Sequence, residues 1–126
     1  MSRLLWICAG GAIGSGARYL VGLWAAQRLG AAFPYGTLIV NITGCFVIAV
    51  LMQAALSLGW SATMRSALTI GFVGGLTTYS SFNFETLRLI EEGAPATAML
   101  NVAVTLAGGA AAGWLGLVTS RAVLAR

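Results

Sequence analysis

Four apolar segments, separated by short turns, take up almost all of this 126-residue chain. They span residues 4–29, 35–58, 63–90 and 96–123. About 20 consecutive apolar residues are enough for a helix to cross a bilayer, and lipid favours helices because a helix satisfies its own backbone hydrogen bonds. The sequence therefore predicts an all-α integral membrane protein with four transmembrane helices in a single membrane domain, residues 1–126.

Charged residues are scarce and lie mostly near the segment ends. They make up 8% of the chain, with seven basic and three acidic side chains and no histidine, against about 25% in an average soluble protein. No basic tract of the kind that nucleic-acid-binding proteins carry is present. Without histidine or a pair of acid and base groups, the chain has no means of general acid–base catalysis. We expect a multi-pass protein of the inner (plasma) membrane in contact with lipid, no nucleic-acid partner and no enzymatic activity.

The third segment contains an unusually polar stretch, Gly71 to Glu85, which reads G-F-V-G-G-L-T-T-Y-S-S-F-N-F-E. Two adjacent glycines followed by two threonines favour a break in the helix at residues 74–78, because glycine weakens the helix and threonine hydroxyls can satisfy freed backbone groups. The carbonyl oxygens of an unwound turn are ligands for a hard cation such as Na⁺. The alternative is a straight helix whose glycines only permit close packing.

Aromatic and hydroxyl side chains follow this predicted break. Tyr79 and Phe82 are three residues apart, and Ser81 and Glu85 are four apart, so they cluster on neighbouring helix faces. Aromatic ring edges are electropositive and hydroxyl groups donate hydrogen bonds, so together they can replace the hydration shell of a small anion. The alternative interpretation of these aromatic residues is core packing.

Isolated polar residues also occur in the other segments. Thr37 and Asn41 share a face of the second segment, Asn101 and Thr105 share a face of the fourth, and Arg18 lies in the first. Buried amides and hydroxyls either join two helices by hydrogen bonds or line a polar pathway. Arg18 either extends to the membrane surface or faces water.

Three motifs carry a resemblance to a known family. The first is G-x-x-x-x-x-R-Y-L ending at Leu20, the second is G-T-L-x-V-N-x-x-G at Gly36 to Gly44, and the third is the polar stretch Gly71 to Glu85. Over essentially its whole length, the chain resembles the Fluc family of fluoride channels, also called CrcB proteins. The order of the last two motifs within four short spans makes the resemblance specific.

The resemblance implies an assembly as well as a function. Members of the family are antiparallel, dual-topology homodimers of four-helix subunits with a broken third helix and two pores per dimer. We therefore expect a fluoride-selective channel that exports fluoride passively and gives fluoride resistance. The arginine distribution allows dual topology, because four arginines fall on one predicted side and two on the other, a weak positive-inside bias.

The resemblance also assigns roles to residues of this chain. Asn41 would donate to fluoride, and Phe82 would be the second ring of a paired-phenylalanine arrangement. Matches to polar positions near the ion path are Thr37, Ser81 and Glu85, and Arg18 matches a vestibule arginine. The backbone carbonyls of Gly74 and Thr77, from both subunits, would hold one structural Na⁺ at the dimer centre.

The chain departs from the family pattern at three of its predicted pore positions. Tyr79 stands where a phenylalanine is usual, Asn101 where a tyrosine is common, and Thr105 where a serine is common. Each replacement keeps a ring edge or a hydrogen-bond donor. The departures leave the exact polar path undetermined, but they do not change the predicted class of protein.

Two other functions fit a four-helix membrane protein. A small proton-coupled multidrug transporter also forms a dual-topology dimer, but it needs a membrane-embedded carboxylate in its first helix, where this chain has Arg18. Glu85 is the only candidate carboxylate within a segment. The second alternative is an assembly subunit held by small-residue faces, for which the polar residues would be dispensable.

Overall fold

Helices joined by short turns make up the structure, a computed structural model that describes residues 1–124. In chain order the helices are α1 (Ser2–Leu29), α2 (Tyr35–Ser57), α3 (Ala62–Ser66), a π-helical segment (Ala67–Val73), α4 (Gly74–Leu76), α5 (Tyr79–Glu91) and α6 (Pro95–Leu124). No strand occurs among the described residues, so the all-helical prediction is confirmed. The predicted domain, residues 1–126, includes residues 125 and 126, which lie outside the described part of the chain.

Three helices, α1, α2 and α6, are long and apolar enough to cross a membrane. Their large apolar side chains point outward to an extent that water would penalise: Ile13 is 65% exposed, Leu106 61% and Trp114 68%. Lipid tails can cover such side chains at no cost, whereas soluble proteins rarely expose large continuous apolar surfaces. The outward-facing apolar surface therefore fits a bilayer.

Between α2 and α6 the helical path is interrupted at Thr77 and Thr78. Thr77 has φ −85° and ψ 158°, and Thr78 has φ −153° and ψ 115°, both extended conformations. Gly74 keeps α-helical angles, φ −63° and ψ −35°, so the extended backbone is confined to the two threonines. Branching at Cβ favours extended backbone, and the Thr78 hydroxyl then caps α5 by accepting from the Ser81 N–H at 3.2 Å.

Glycines bring α1 into backbone contact with the π-helical segment and α4. A Cβ atom on Gly71 would lie 2.6 Å from the Ile7 carbonyl oxygen, and one on Gly75 would lie 2.6 Å from the Gly11 carbonyl oxygen. Close approach of this kind drives helix association in membranes, where the hydrophobic effect between helices is absent. Gly75, which was predicted to lie in the helix break, therefore contributes to helix packing because it lies directly against α1.

Gly14 provides a direct test of this contact. A Cβ atom on Gly14 would clash with the Phe72 carbonyl oxygen and lie 2.9 Å from the Leu76 amide nitrogen, both backbone atoms that cannot rotate away. We expect Gly14→Ala to lower the free energy of unfolding by about 1–3 kcal/mol, the usual cost of overpacking. Chemical unfolding in detergent micelles measures this change.

Gly16, on the same helix, is the matched control. A Cβ atom there meets no neighbouring helix of the described residues within 4 Å, and alanine is the better helix former by about 1 kcal/mol. Gly16→Ala should therefore be as stable as the unmodified protein or more so. Equal destabilisation by the two substitutions would contradict a specific backbone contact at Gly14.

The helices α2 and α6 lie side by side and frame the interior. A Cβ atom on Gly116 would lie 2.6 Å from the Phe46 carbonyl oxygen, and one on Gly108 would lie 2.7 Å from the Ile42 Cδ1 atom. Val40 on α2 is only 2% exposed. This tight pair leaves the interrupted segment, Thr77 and Thr78, beside one edge of α2.

Candidate functional site

A groove of about 900 Å³ lies between α2, the interrupted segment and α6. Its polar lining residues are Asn41, Thr69, Thr77, Thr78, Tyr79 and Thr105. Among the described residues that line it, none carries a charge. The groove therefore offers hydroxyl, amide and backbone groups, which can bind an ion without holding it as tightly as a fixed opposite charge would.

Asn41 is paired with the backbone of Thr78 at the interruption. Its Nδ2 donates to the Thr78 carbonyl oxygen at 3.0 Å, and the Thr78 N–H donates to Asn41 Oδ1 at 2.8 Å. Thr78 is 7% exposed, so both of its backbone groups need partners inside the protein. A side-chain amide has two N–H groups, and this pairing uses one of them. Asn41 thus stabilises the interruption and keeps a second donor.

The same pairing frees a carbonyl oxygen at the interruption. In a continuous helix the Thr78 N–H would donate to the Gly74 carbonyl four residues earlier, but here it donates to Asn41. Thr77, by contrast, keeps its N–H on the Val73 carbonyl at 3.0 Å. Gly74 and Thr77, whose carbonyl oxygens were predicted to bind a cation, are both among the residues that line the groove.

Two aromatic rings stand side by side after the interruption. The ring centroids of Tyr79 and Phe82 are 5.8 Å apart and the ring planes are tilted by 55°. Phe82 is 7% exposed, whereas Tyr79 is 77% exposed, and both line the groove. The structure thus brings together the two predicted aromatic residues and presents tilted rings to the same space.

Hydroxyl groups lie close to this aromatic pair. Thr78 Oγ1 donates to Ser81 Oγ at 3.1 Å and shares a hydrogen bond with Ser80 Oγ at 3.2 Å. Across the groove, Thr105 Oγ1 is buried and has no hydrogen-bond partner within residues 1–124. A buried hydroxyl without a partner is costly and therefore a candidate contact for a ligand or water.

Thr37 and Glu85 lie apart from the groove. Thr37 Oγ1 donates to Glu85 Oε1 at 2.9 Å, linking α2 to α5. Together with Arg88 they line a second cavity of about 170 Å³ near the turn between α1 and α2. The other carboxylate oxygen, Glu85 Oε2, is buried and has no partner in the described part of the chain.

Asn101 and Arg18 also lie outside the groove lining. Asn101 is 1% exposed, and its Nδ2 donates to Thr86 Oγ1 at 2.9 Å. Arg18 is partly exposed on α1. The one ion pair that the described residues form is Arg88 with Glu92, at 3.3 Å on the surface, so Arg18 is not held by a carboxylate.

The sequence analysis placed Thr78 only within the predicted break and gave no role to Thr86. Thr78 caps α5 and pairs with Asn41, and its position just before a helix, three residues ahead of Ser81, is a usual N-cap pattern that was available as a signal. Thr86 joins Asn101 to the carbonyl of Phe82. A single threonine in an apolar helix has many explanations, so no sequence signal pointed to Thr86.

Long apolar helices around an uncharged polar groove define a small multi-pass membrane protein. Residues 5–117 match the family model described as CrcB-like protein, Camphor Resistance (CrcB). The chain belongs to this family, and the resemblance seen in the sequence is confirmed.

Curated relatives match over nearly the full chain. The protein named Fluoride-specific ion channel FluC from Acidobacterium capsulatum is 44% identical over 98% of this chain and 99% of its own length. Its namesake from Sorangium cellulosum is 48% identical over 99% of each chain. The one from Anaeromyxobacter sp. strain K is 50% identical over 86% of each. These relatives are named as ion channels, not as enzymes.

Proposed function

We propose that this protein is a fluoride-selective channel of the plasma membrane, which lets fluoride leave the cell passively and so gives fluoride resistance. The observation that carries the proposal is the uncharged groove whose lining includes Asn41, Tyr79, Phe82 and Thr105, and so amide, hydroxyl and aromatic groups. Neutral donors bind a small anion strongly enough to admit it and weakly enough to release it. The names of the relatives support fluoride as that anion.

A second, antiparallel copy of the chain would complete the groove. Helices α3 to α5 with the π-helical segment would form the third, interrupted crossing, which makes four crossings per chain. One wall of the groove ends on residues that a single chain leaves exposed, including Tyr79 at 77%, Leu106 at 61% and Trp114 at 68%. Two copies related by a two-fold axis would cover these faces and enclose two equivalent pores.

Within each pore the proposed contacts follow from the free donors. The second N–H of Asn41 and the hydroxyl of Thr105 would donate to fluoride between the ring edges of Tyr79 and Phe82. Ser81 would extend this path at the start of α5. Glu85, one turn further along α5, and its partner Thr37 on α2 would form part of the polar continuation of this path. Arg18 would attract the anion from water at a vestibule.

One structural Na⁺ would lie where the two interrupted segments meet. The residues fit such an ion, because the Gly74 carbonyl has lost the Thr78 N–H as its helical donor and Gly74 and Thr77 both line the groove. Two carbonyl oxygens from each copy would give four oxygen ligands to a hard cation. The described residues hold no cluster of three His, Cys, Asp or Glu side chains, so the proposed ligands are uncharged oxygen atoms.

Dimer stability should therefore rise with Na⁺ concentration. A ligand that binds only the assembled state stabilises it by about 2.7 kcal/mol at one hundred times its dissociation constant. The measurement is subunit exchange between differently labelled dimers in detergent, with Na⁺ replaced by a large organic cation at equal ionic strength. Exchange at the same rate in both solutions would contradict the cation site.

Fluoride flux from liposomes tests the function itself. Purified protein in vesicles loaded with potassium fluoride should release fluoride when valinomycin lets potassium leave, and a fluoride electrode records the release. Vesicles loaded with chloride should retain it. The absence of fluoride release would overturn the proposal, and exchange of a cationic drug for protons in the same vesicles would support the multidrug transporter instead.

A further inference from the structure

The helix that carries the aromatic pair, α5, is short. It has 13 residues, Tyr79–Glu91. Its inward face consists of Phe82 and Leu89, which are 7% and 4% exposed, with the half-buried Thr86 between them. Two buried side chains hold a helix only weakly against rotation about its own axis.

The Thr86 hydroxyl makes two hydrogen bonds at once. It donates to the Phe82 carbonyl oxygen at 2.7 Å and accepts from Asn101 Nδ2 at 2.9 Å. The chain of bonds thus runs from α6, through Thr86, to the backbone of Phe82. Because each bond polarises the next, such a connected pair is stronger than two separate bonds. Asn101 is 1% exposed, and neither it nor Thr86 lines the groove.

The neighbouring residue of α5 is bound to a different helix. Glu85 accepts from Thr37 of α2, while Thr86 accepts from Asn101 of α6. Adjacent residues on a helix point about 100° apart, so the two bonds hold α5 from two directions. A rotation of α5 in either sense would lengthen at least one of them.

We propose that Asn101 and Thr86 are positioning residues, which fix the rotation of α5 and so keep the Phe82 ring in the groove without contacting the ion. The proposal rests on the proposed function, in which Phe82 faces the conducted fluoride. It gives Asn101 a role different from the pore position that the family resemblance implied. Ion selectivity and conduction then depend on the hydrogen bond between Asn101 and Thr86, which lies outside the groove lining.

Two substitutions of similar volume break this connection, and one preserves it. Thr86→Val removes the hydroxyl, Asn101→Leu removes the amide, and Thr86→Ser keeps the hydroxyl. Fluoride release is measured from vesicles that hold at most one channel, so the fraction of vesicles that empty reports folded channels and the rate of emptying reports conduction per channel. We expect Thr86→Val and Asn101→Leu to slow emptying by about tenfold at an unchanged active fraction. Thr86→Ser should empty at the rate of the unmodified protein.

Two further variants sharpen the test. The double variant Thr86→Val/Asn101→Leu should be no slower than either single variant, because both changes remove the same bond. Thr119→Val, the same change at an exposed position of α6, should leave both measurements unchanged. An unchanged rate in Thr86→Val, or a smaller active fraction at an unchanged rate, would overturn the positioning role. Equal slowing by Thr86→Ser and Thr86→Val would do so as well.

Amide hydrogen exchange separates this inference from the proposed function. Residues 79–86 should exchange at least about tenfold faster in Thr86→Val than in Thr86→Ser when both are measured in detergent, because the helix loses one of its two lateral bonds. This readout does not require conduction. If the unmodified protein releases no fluoride but the exchange rates differ as expected, the function is wrong and the attachment of α5 stands. Equal exchange rates would overturn the attachment even in a conducting protein.

Discussion

Replacing Phe82 by isoleucine is expected to reduce fluoride release to the level of protein-free vesicles while the protein still dimerises. Phe82 is 7% exposed and lies 5.8 Å, centroid to centroid, from the Tyr79 ring. Isoleucine is apolar and of comparable bulk, so the packing cost is modest. It has no electropositive ring edge, however, and an aliphatic group cannot replace any part of the hydration shell of fluoride.

Phe84→Ile is the matched control for this experiment. Phe84 lies two residues further along α5 and is 67% exposed, so the same chemical change occurs on the same helix outside the groove lining. We expect this variant to conduct. Tyr79→Phe should conduct too, since it keeps the ring edge. Size-exclusion chromatography and crosslinking establish dimerisation of each variant, and fluoride release by Phe82→Ile at the unmodified rate would exclude its ring from an essential role.

The membrane architecture could be predicted from the sequence because lipid imposes a simple rule. A long segment without charges that lies in hydrocarbon must bond its own backbone, and a helix does so without partners. Hence α1, α2 and α6 were evident from composition alone. A break within Gly74 to Thr78 was predicted because adjacent glycines and threonines are poor helix formers. The sequence did not show which of these residues would leave the helix. Gly75 stays helical because it packs on α1.

The hydrogen-bond partners of the site residues could not be predicted. The sequence showed that the Asn41 amide needs a partner, but Thr78 is 37 residues away, and only the packing of α2 against the interrupted segment brings them together. The surroundings of the two polar residues on the fourth segment could not be predicted either. Asn101 and Thr105 share one face of α6, but this face contacts different parts of the protein along its length. Thr105 lines the groove, whereas Asn101 is hydrogen-bonded to α5.

Replacing Asn41 by leucine is expected to remove both stability and fluoride release. The Thr78 N–H and carbonyl would lose their partners at a buried position, since Thr78 is only 7% exposed. A buried backbone group without a partner costs about 1–3 kcal/mol, so the free energy of unfolding should fall by about 2–6 kcal/mol for the two groups together. Chemical unfolding in micelles and fluoride release from vesicles measure the two losses.

Asn41→Asp separates the structural role of this residue from its role toward the ion. A carboxylate still accepts from the Thr78 N–H, so this variant should retain more stability than Asn41→Leu. It supplies no N–H to the groove and places negative charge beside the path of an anion, so fluoride release should still be lost. If Asn41→Asp conducts at the unmodified rate, a donor at this position is unnecessary for permeation. If Asn41→Leu is as stable as the unmodified protein, the interruption at Thr78 is held by something other than Asn41. Loss of conduction in both variants, with stability lost mainly in the leucine variant, is the combination that requires one side chain to serve the backbone and the ion together.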